Sequence, residues 1–325
     1  MRSSKCQSLR MLSCEQWMMA LAVSLFLLAL RCPTGRFVVF SSPEEDLVSC
    51  ASLVGRCPLS SALPGSMLIK RVLDESVLTQ LERELHGHYN QSGFPLIRAS
   101  GCESAFRTAI IVPFRNRSEH LDVFLRHMHS FLPQQNIDYS IYVVEQSERH
   151  KFNRGKLMNI GFKEALRDMD YCCFIFHDVD LLPENPRNLY ACSKHPRHMC
   201  VAIDTFRYVV PYADIFGGVV AMQKDHFVKV NGFSNRFFGW GAEDDDLALR
   251  IQSAKLHITR WSTDISRYTA LVHEKANPNP KRFDLLADSS SRWQSDGLID
   301  LKYKLLSHQR TPLYTKITVD VSPDD

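Results

Sequence analysis

The sequence predicts an α/β fold built on a mostly parallel, doubly wound sheet flanked by helices. Three observations carry that expectation. Between residues 105 and 177, continuous apolar runs of strand length alternate with longer segments whose apolar residues recur at three- and four-residue spacing. The runs lack polar alternation, which is the pattern of strands buried on both faces. The last run leads into Asp178-Val179-Asp180, and in an open α/β sheet ligands gather beyond the carboxyl ends of strands. With 325 residues, 45% hydrophobic and 23% charged, the chain has material for one large core or two small ones, which excludes a disordered or collagen-like polymer.

In chain order, the first feature is the apolar stretch 17–30, which would reach about 21 Å as a helix against a hydrocarbon core of about 30 Å. Extending it back to Met11 takes in Glu15 and Gln16. A signal peptide and an uncleaved signal anchor both fit; the exit Ala29-Leu30-Arg31-Cys32-Pro33 has no small residues spaced for cleavage, which favours the anchor. Arg2, Lys5 and Arg10 ahead of it favour a cytoplasmic N-terminus and a lumenal body. Of the net charge of +3, residues 1–36 carry +4 (Arg2, Lys5, Arg10, Arg31 and Arg36 against Glu15), which leaves −1 for the rest. A near-neutral body without a basic stripe excludes a nucleic-acid partner. Residues 33–64, with four prolines, two Ser-Ser pairs and no sustained period, read as a stem. Ten cysteines behind a secretory signal imply some oxidation, and none shows zinc spacing. Sequons at Asn90 and Asn116 suit the same compartment.

The folded elements come next. Thr108-Ala109-Ile110-Ile111-Val112 reads as a buried strand stopped by Pro113. Leu121, Phe124, Leu125, Met128, Phe131 and Leu132 line one face of a helix that Pro133 ends. A strand over 139–144, a helix over 155–168 and a strand over 171–176 follow.

Four features carry chemistry, each with a plainer alternative. Asp178 and Asp180 at a strand end suit a divalent cation, or are a solvated turn. Glu243-Asp244-Asp245-Asp246 follows Gly239-Trp240-Gly241 and opens a helix. Dipole and capping effects account for one or two acids there; four repel one another, which points to one kept as a general base. His273 closes Ala270-Leu271-Val272-His273 on a strand, where a lone His is a hydrogen-bonding residue unless it has company. Arg115, Arg117 and Arg154 follow the first and second strands; their forks suit phosphate oxygens, with Phe114 and Phe152 available to cover a flat base, or they are solvated loop charges. No G-x-x-x-x-G-K-[ST] loop is present.

Together these stretches resemble the animal β-1,4-galactosyltransferase family, including its β-1,4-N-acetylgalactosaminyltransferase members. The resemblance rests on Pro113-Phe114-Arg115-Asn116-Arg117, Phe152-Asn153-Arg154, His177-Asp178-Val179-Asp180, Phe216-Gly217-Gly218-Val219, Asn231-Gly232-Phe233, Gly239-Trp240-Gly241 with Glu243-Asp244-Asp245-Asp246, and Tyr314-Thr315-Lys316-Ile317-Thr318-Val319, in one order across about residues 57–320. It implies a GT-A fold with a Rossmann-like sheet behind a single membrane anchor, in a type II Golgi protein. The domains are then a cytoplasmic tail (1–16), signal anchor (17–32), stem (33–56) and lumenal catalytic domain (57–325).

By the same resemblance, Pro113, Phe114, Arg115, Arg117, Phe152, Arg154, Asp178, Val179 and Trp240 bind the UDP-sugar, and Asp180 and His273 hold manganese. The family has Met three residues before that His, where this chain has Ala270, so one protein ligand is lacking. Asp244 matches the catalytic base, and Trp240 the loop that closes over donor. Tyr212, Glu243, Asp245, Arg282, Phe283 and Leu286 match acceptor contacts for terminal N-acetylglucosamine. Ile215 stands where the galactosyltransferases have Tyr and the N-acetylgalactosaminyltransferases an aliphatic residue, which implies UDP-GalNAc over UDP-Gal. Disulfides Cys57–Cys102 and Cys173–Cys192 are implied, with Cys172 and Cys200 as buried thiols. Asn116, inside the nucleotide motif, is expected without a glycan. A sugar-binding member without turnover is the competing class, motivated by Ala270.

Overall fold

In the computed structural model, residues 37–50, 57, 65–71, 75–85, 96–274 and 276–324 are described. The expected tail (1–16), anchor (17–32) and the sequon at Asn90 lie outside the described residues. Among the described residues no helix is long and apolar enough to cross a membrane.

The first elements are β1 (Val38–Phe40), a single helical turn α1 (Pro43–Asp46) and α2 (Glu75–Leu85). The expected alternation follows as β2 (Arg107–Phe114), α3 (Ser118–Phe131), β3 (Asp138–Gln146), α4 (Arg154–Asp168) and β4 (Cys173–His177). Alternate residues of β2 face opposite ways. Ile110 and Val112 join the core that holds Phe124, Met128 and Phe131 of α3, whereas Ala109 and Ile111 join the core that holds Leu157, Ile160 and Phe162 of α4. Helices on both faces are the reason the strand reads as unbroken apolar sequence. β2 continues through Pro113, where a stop was expected. Its pairing with β4 ends at Ile111 opposite Phe176, so the missing proline N–H costs no bond on that side. α3 does end before Pro133, which sits in a 3₁₀ turn over Leu132–Gln135.

The remaining elements are β5 (Leu181–Pro183), β6 (Arg197–His198), β7 (Ala202–Ile203), β8 (Val219–Gln223), α5 (Lys224–Lys229), α6 (Glu243–Ser253), β9 (Ile258–Arg260), β10 (Arg267–Ala270), α7 (Arg282–Ala287), α8 (Ser289–Arg292), β11 (Lys304–Arg310) and β12 (Thr315–Asp320). The main sheet has the order β1-β9-β6-β8-β4-β2-β3-β12-β11. Among the described residues five of its eight strand pairs are parallel, as expected, and three are not: β8 runs antiparallel to β4 and β6, and β11 to β12. The reason lies in the register. His177, the last residue of β4, pairs with Val219, the first of β8, so residues 178–218 leave and re-enter at the same sheet edge. A small second sheet, β5-β10-β7, stands at that edge.

Residues 37–50 belong to this fold, although a stem was expected over 33–56. β1 pairs in parallel with β9, and the Trp261 indole N–H donates to Asp46 at 3.0 Å. The bridges Cys57–Cys102 and Cys173–Cys192 are present as implied. Cys172 is a correction: it is bonded to Cys50 across 122 residues of sequence and is not a thiol. Adjacent residues on extended backbone point opposite ways, so Cys172 and Cys173 reach different partners. Cys200 is a buried free thiol.

Candidate active site

Three chain segments meet beyond the carboxyl end of β4. Asp178 follows that strand directly, and Arg154 is the first residue of α4. The Asn153 side chain caps α4 by accepting the Lys156 N–H at 2.9 Å, which orients this turn. Arg154 then donates through Nε to Asp178 Oδ1 at 2.6 Å and through Nη2 to the Gly218 carbonyl at 3.2 Å, and its Nη1 lies 3.7 Å from Glu243 Oε1. Arg115 donates to the His150 carbonyl at 2.7 Å, with its guanidinium 5.2 Å from the Phe152 ring. Pro113, Phe114 and Val179 are buried, Phe114 in the core shared with α3, while Phe152 is half-buried. Of the two rings expected over a base, only Phe152 borders open space in this state.

The small sheet explains the second pair. β10 runs antiparallel to β5, with Ala270 opposite Leu181, and the Leu271 N–H donates to the Asp180 carbonyl at 2.7 Å. The strand expected to carry His273 therefore ends at Ala270, and His273 lies in the following loop. Its Nε2 is 2.7 Å from Asp180 Oδ2, the oxygen that also accepts Arg117 Nη1 at 3.0 Å. His273 Nδ1 is 2.7 Å from the Glu274 carbonyl. Nδ1 also lies 3.1 Å from Arg117 Nη2, so the His273 ring, the Asp180 carboxylate and the Arg117 guanidinium converge at one point. An imidazole nitrogen and a carboxylate oxygen suit manganese as a donor set, so these residues fit the metal. Among the described residues no third His, Cys, Asp or Glu completes a cluster, and Ala270 brings no donor.

The acids of α6 form the third part. Ala242 adopts a left-handed conformation (φ 71°) just before the helix, and Glu243, Asp244, Asp245 and Asp246 fill its first turn. They differ in what they face. Asp246 is fully buried between Arg250 and Arg292. Asp245 accepts the Tyr212 hydroxyl at 2.8 Å. Asp244 lies against the backbone of Gly217, where any Cβ would land on its Oδ2, so only glycine permits this approach. Glu243, expected on the acceptor side, reaches back toward Arg154. Burial and then the Asp244 charge push the Glu243 carboxyl up to about 7, with Arg154 opposing. Burial and then the Asp245 charge hold Asp244 above the usual carboxylate range, again against Arg154. One guanidinium among several acids is not enough to ionise them all, which poises a carboxylate for proton transfer near neutrality.

Around these acids, Tyr212, Trp240 and Phe283 are 46%, 59% and 62% exposed. Arg282 and Phe283 open α7, with the guanidinium 4.3 Å from the ring, and Leu286 follows one turn on. The 239–241 segment is held at both ends: the Gly239 N–H donates to the Phe152 carbonyl at 2.7 Å, and the Asn279 N–H to the Trp240 carbonyl at 2.9 Å. Gly239 (φ 96°) and Gly241 (φ 108°) supply the left-handed turns on either side of Trp240. Ile215 precedes Phe216-Gly217-Gly218, its carbonyl accepting Arg260 Nη2 at 2.7 Å. Arg260, Arg292 and Asp296 gave no sequence signal as site residues, since single charges far apart in the chain look like surface charges. Asn116 is left-handed (φ 52°) and its amide donates to Glu148 at 2.6 Å.

A family model described as the N-terminal region of glycosyl transferase group 7 matches residues 57–193, and one described as the N-terminal domain of galactosyltransferase matches 197–274. Fold and matches together place the chain among these glycosyltransferases, with a GT-A-like α/β fold. It is 42% identical to β-1,4-galactosyltransferase 4 of Cricetulus griseus over 284 residues, covering 85% of this chain and 81% of that protein. It is 48% identical to β-1,4-galactosyltransferase 3 of Rattus norvegicus over 231 residues, 70% of this chain and 58% of the relative. The crystal structure of Drosophila β-1,4-galactosyltransferase 7 with manganese, UDP-Gal and xylobiose is similar at 31% identity and a TM-score of 0.56, over 67% of this chain and 94% of that one. The chain belongs to the β-1,4-galactosyltransferase family.

Proposed function

We propose that this chain is an inverting, manganese-dependent UDP-sugar β-1,4-glycosyltransferase that moves GalNAc to the terminal N-acetylglucosamine of glycoproteins or glycolipids. The observation that carries this reading is the approach of Asp244 to the Gly217 backbone, two residues from Ile215. Base and donor selector thus share one corner of the site. Asp244 takes the proton from the acceptor 4-hydroxyl as that oxygen attacks the anomeric carbon, and the bond to UDP breaks in the same displacement. One displacement inverts the centre, so an α-linked donor gives a β-linked product. Asp180 and His273 would hold the metal, which would stabilise the departing diphosphate. Arg154, Arg115 and Arg117 supply positive charge for the same oxygens. Ile215 lacks the hydroxyl and bulk of Tyr, leaving room for an N-acetyl group on the donor.

The alternative donor is UDP-Gal, favoured by the relatives, which are named galactosyltransferases. A sugar-binding protein without turnover is less well supported, because Asp180, Trp240, Asp244 and His273 are all in place. The three disulfides support a lumenal site in an oxidising compartment. With the charge pattern around residues 17–30, this supports a type II Golgi membrane protein. The test is transfer by the full chain, with manganese and a terminal N-acetylglucosaminide, from UDP-GalNAc and UDP-Gal in parallel. Faster GalNAc transfer is expected, and Ile215→Tyr should move the preference toward Gal by about tenfold or more. Faster Gal transfer by the unaltered chain would overturn the donor assignment; donor binding without product would overturn the enzyme reading.

A further inference from the structure

We propose that Arg292 is a positioning residue for the acceptor, coupling the helix turn that carries the base to the helix that faces the acceptor sugar. This rests on the acceptor reading of α7. Arg292 closes α8 and is only 8% exposed. Its guanidinium donates to two helices and to the turn after α8. Nη2 donates to Asp246 Oδ1 at 3.1 Å, in the same α6 turn as Asp244 and Asp245. Nε donates to Asp296 Oδ2 at 3.1 Å. Nη1 donates to the Leu285 carbonyl, in the middle of α7 between Phe283 and Leu286. The same guanidinium lies 5.8 Å from the Phe237 ring, at the root of the segment that ends in Trp240.

Charge neutralisation alone does not account for this placement. Asp246 and Asp296 also share Arg250, which is fully buried and contacts both. The other bonds of Arg250 go to the Gly232 and Asp296 carbonyls, and none reaches α7. Two acids and two arginines make a neutral buried set, yet only Arg292 extends it to the acceptor-facing helix. A planar fork can serve the α6 carboxylate and the α7 carbonyl at once, whereas the single ammonium of Lys keeps the charge without that reach. α7 is a short helix, Arg282–Ala287, with none of its residues buried. Only Arg282, Leu285 and Leu286 are half-buried, so tethers of this kind add to a thin packing contact in placing it relative to Asp244.

The experiment compares Arg292→Lys with Arg250→Lys in the full chain, measuring KM for a terminal N-acetylglucosaminide, donor KM, kcat and thermal midpoint. Arg292→Lys is expected to raise acceptor KM about fivefold or more, with donor KM within about twofold, since misplacing a binding group weakens the contact it makes. Arg250→Lys is expected to lower the thermal midpoint and leave acceptor KM within about twofold of wild type. Equal effects of the two variants, an unmoved acceptor KM in Arg292→Lys, or donor and acceptor KM rising together would each overturn the proposal and leave a structural ion cluster. An unaltered chain that neither binds nor modifies the acceptor would overturn the acceptor reading and this inference with it. Transfer by the unaltered chain with an unmoved Arg292→Lys overturns the inference alone.

Discussion

The proposed donor and acceptor sides of the site are held by different means. On the proposed donor side, Arg154 sits 2.6 Å from Asp178, and Arg117 3.0 Å and His273 2.7 Å from Asp180, with both arginines at helix starts and His273 in the loop after β10. On the proposed acceptor side, Tyr212 and Phe283 present rings to solvent from a loop and from the short helix α7, which Arg292 ties to α6. The difference is one of preorganisation. Charges aimed at a diphosphate do more in fixed positions, where no reorganisation is needed during transfer. Exposed rings gain by covering a sugar when it arrives.

Asp244 stands where the two sides meet, and its replacement is the largest way to separate them. Asp244→Asn should lower kcat by about 10²–10⁴-fold while donor affinity stays within about twofold. Calorimetric titration of the UDP-sugar beside single-turnover rates would check this, and retained transfer would remove Asp244 as the base. Gly217→Ala comes next. Its methyl group must displace the Asp244 carboxyl or the 216–218 backbone, at a cost on the order of 1–3 kcal/mol. The expected result is a fall in kcat of about tenfold or more together with a lower thermal midpoint; an unaffected rate would mean that Asp244 has another productive position.

The smallest effect concerns Glu243. Its folded carboxyl holds a proton up to about 7, above its ordinary value of 4.5, because burial and Asp244 oppose ionisation more than Arg154 favours it. Between those values the folded chain binds more protons than the unfolded one, so this group makes stability fall as pH rises through the window. Glu243→Gln cannot titrate. Its thermal midpoint should drop less between pH 5 and pH 7.5 than that of the unaltered protein, by on the order of a few degrees. Parallel profiles for the two proteins would show that Glu243 is ionised throughout.

Periodicity made the central strands and helices legible, because the position of a side chain on a strand or helix is set by near neighbours. β2, α3, β3, α4 and β4 fall within a few residues of their expected places, and the exception, Pro113, turns on where a neighbouring strand stops. The same locality hid other features. Nothing in Val38–Phe40 marks it as an edge strand, since its partner β9 starts at Ile258. Nothing near Cys172 names Cys50 as its partner, 122 residues earlier. The antiparallel β8 was equally hidden, because direction depends on the edge to which the chain returns.

The chemistry divides along the same line. Residue types and motif order determined which groups stand ready: Asp178, Asp180, Asp244, His273, the arginines and Ile215. Tertiary structure alone decided their company. Arg117 and His273, 156 residues apart, meet on one oxygen of Asp180 because β10 pairs with β5. Four consecutive acids became a buried structural anion, a partner of the Tyr212 hydroxyl, a candidate base and a proton holder because a helix turn points each in a different direction, toward different neighbours. Ionisation and orientation are set by burial and by through-space neighbours, and those exist only once the chain has closed on itself.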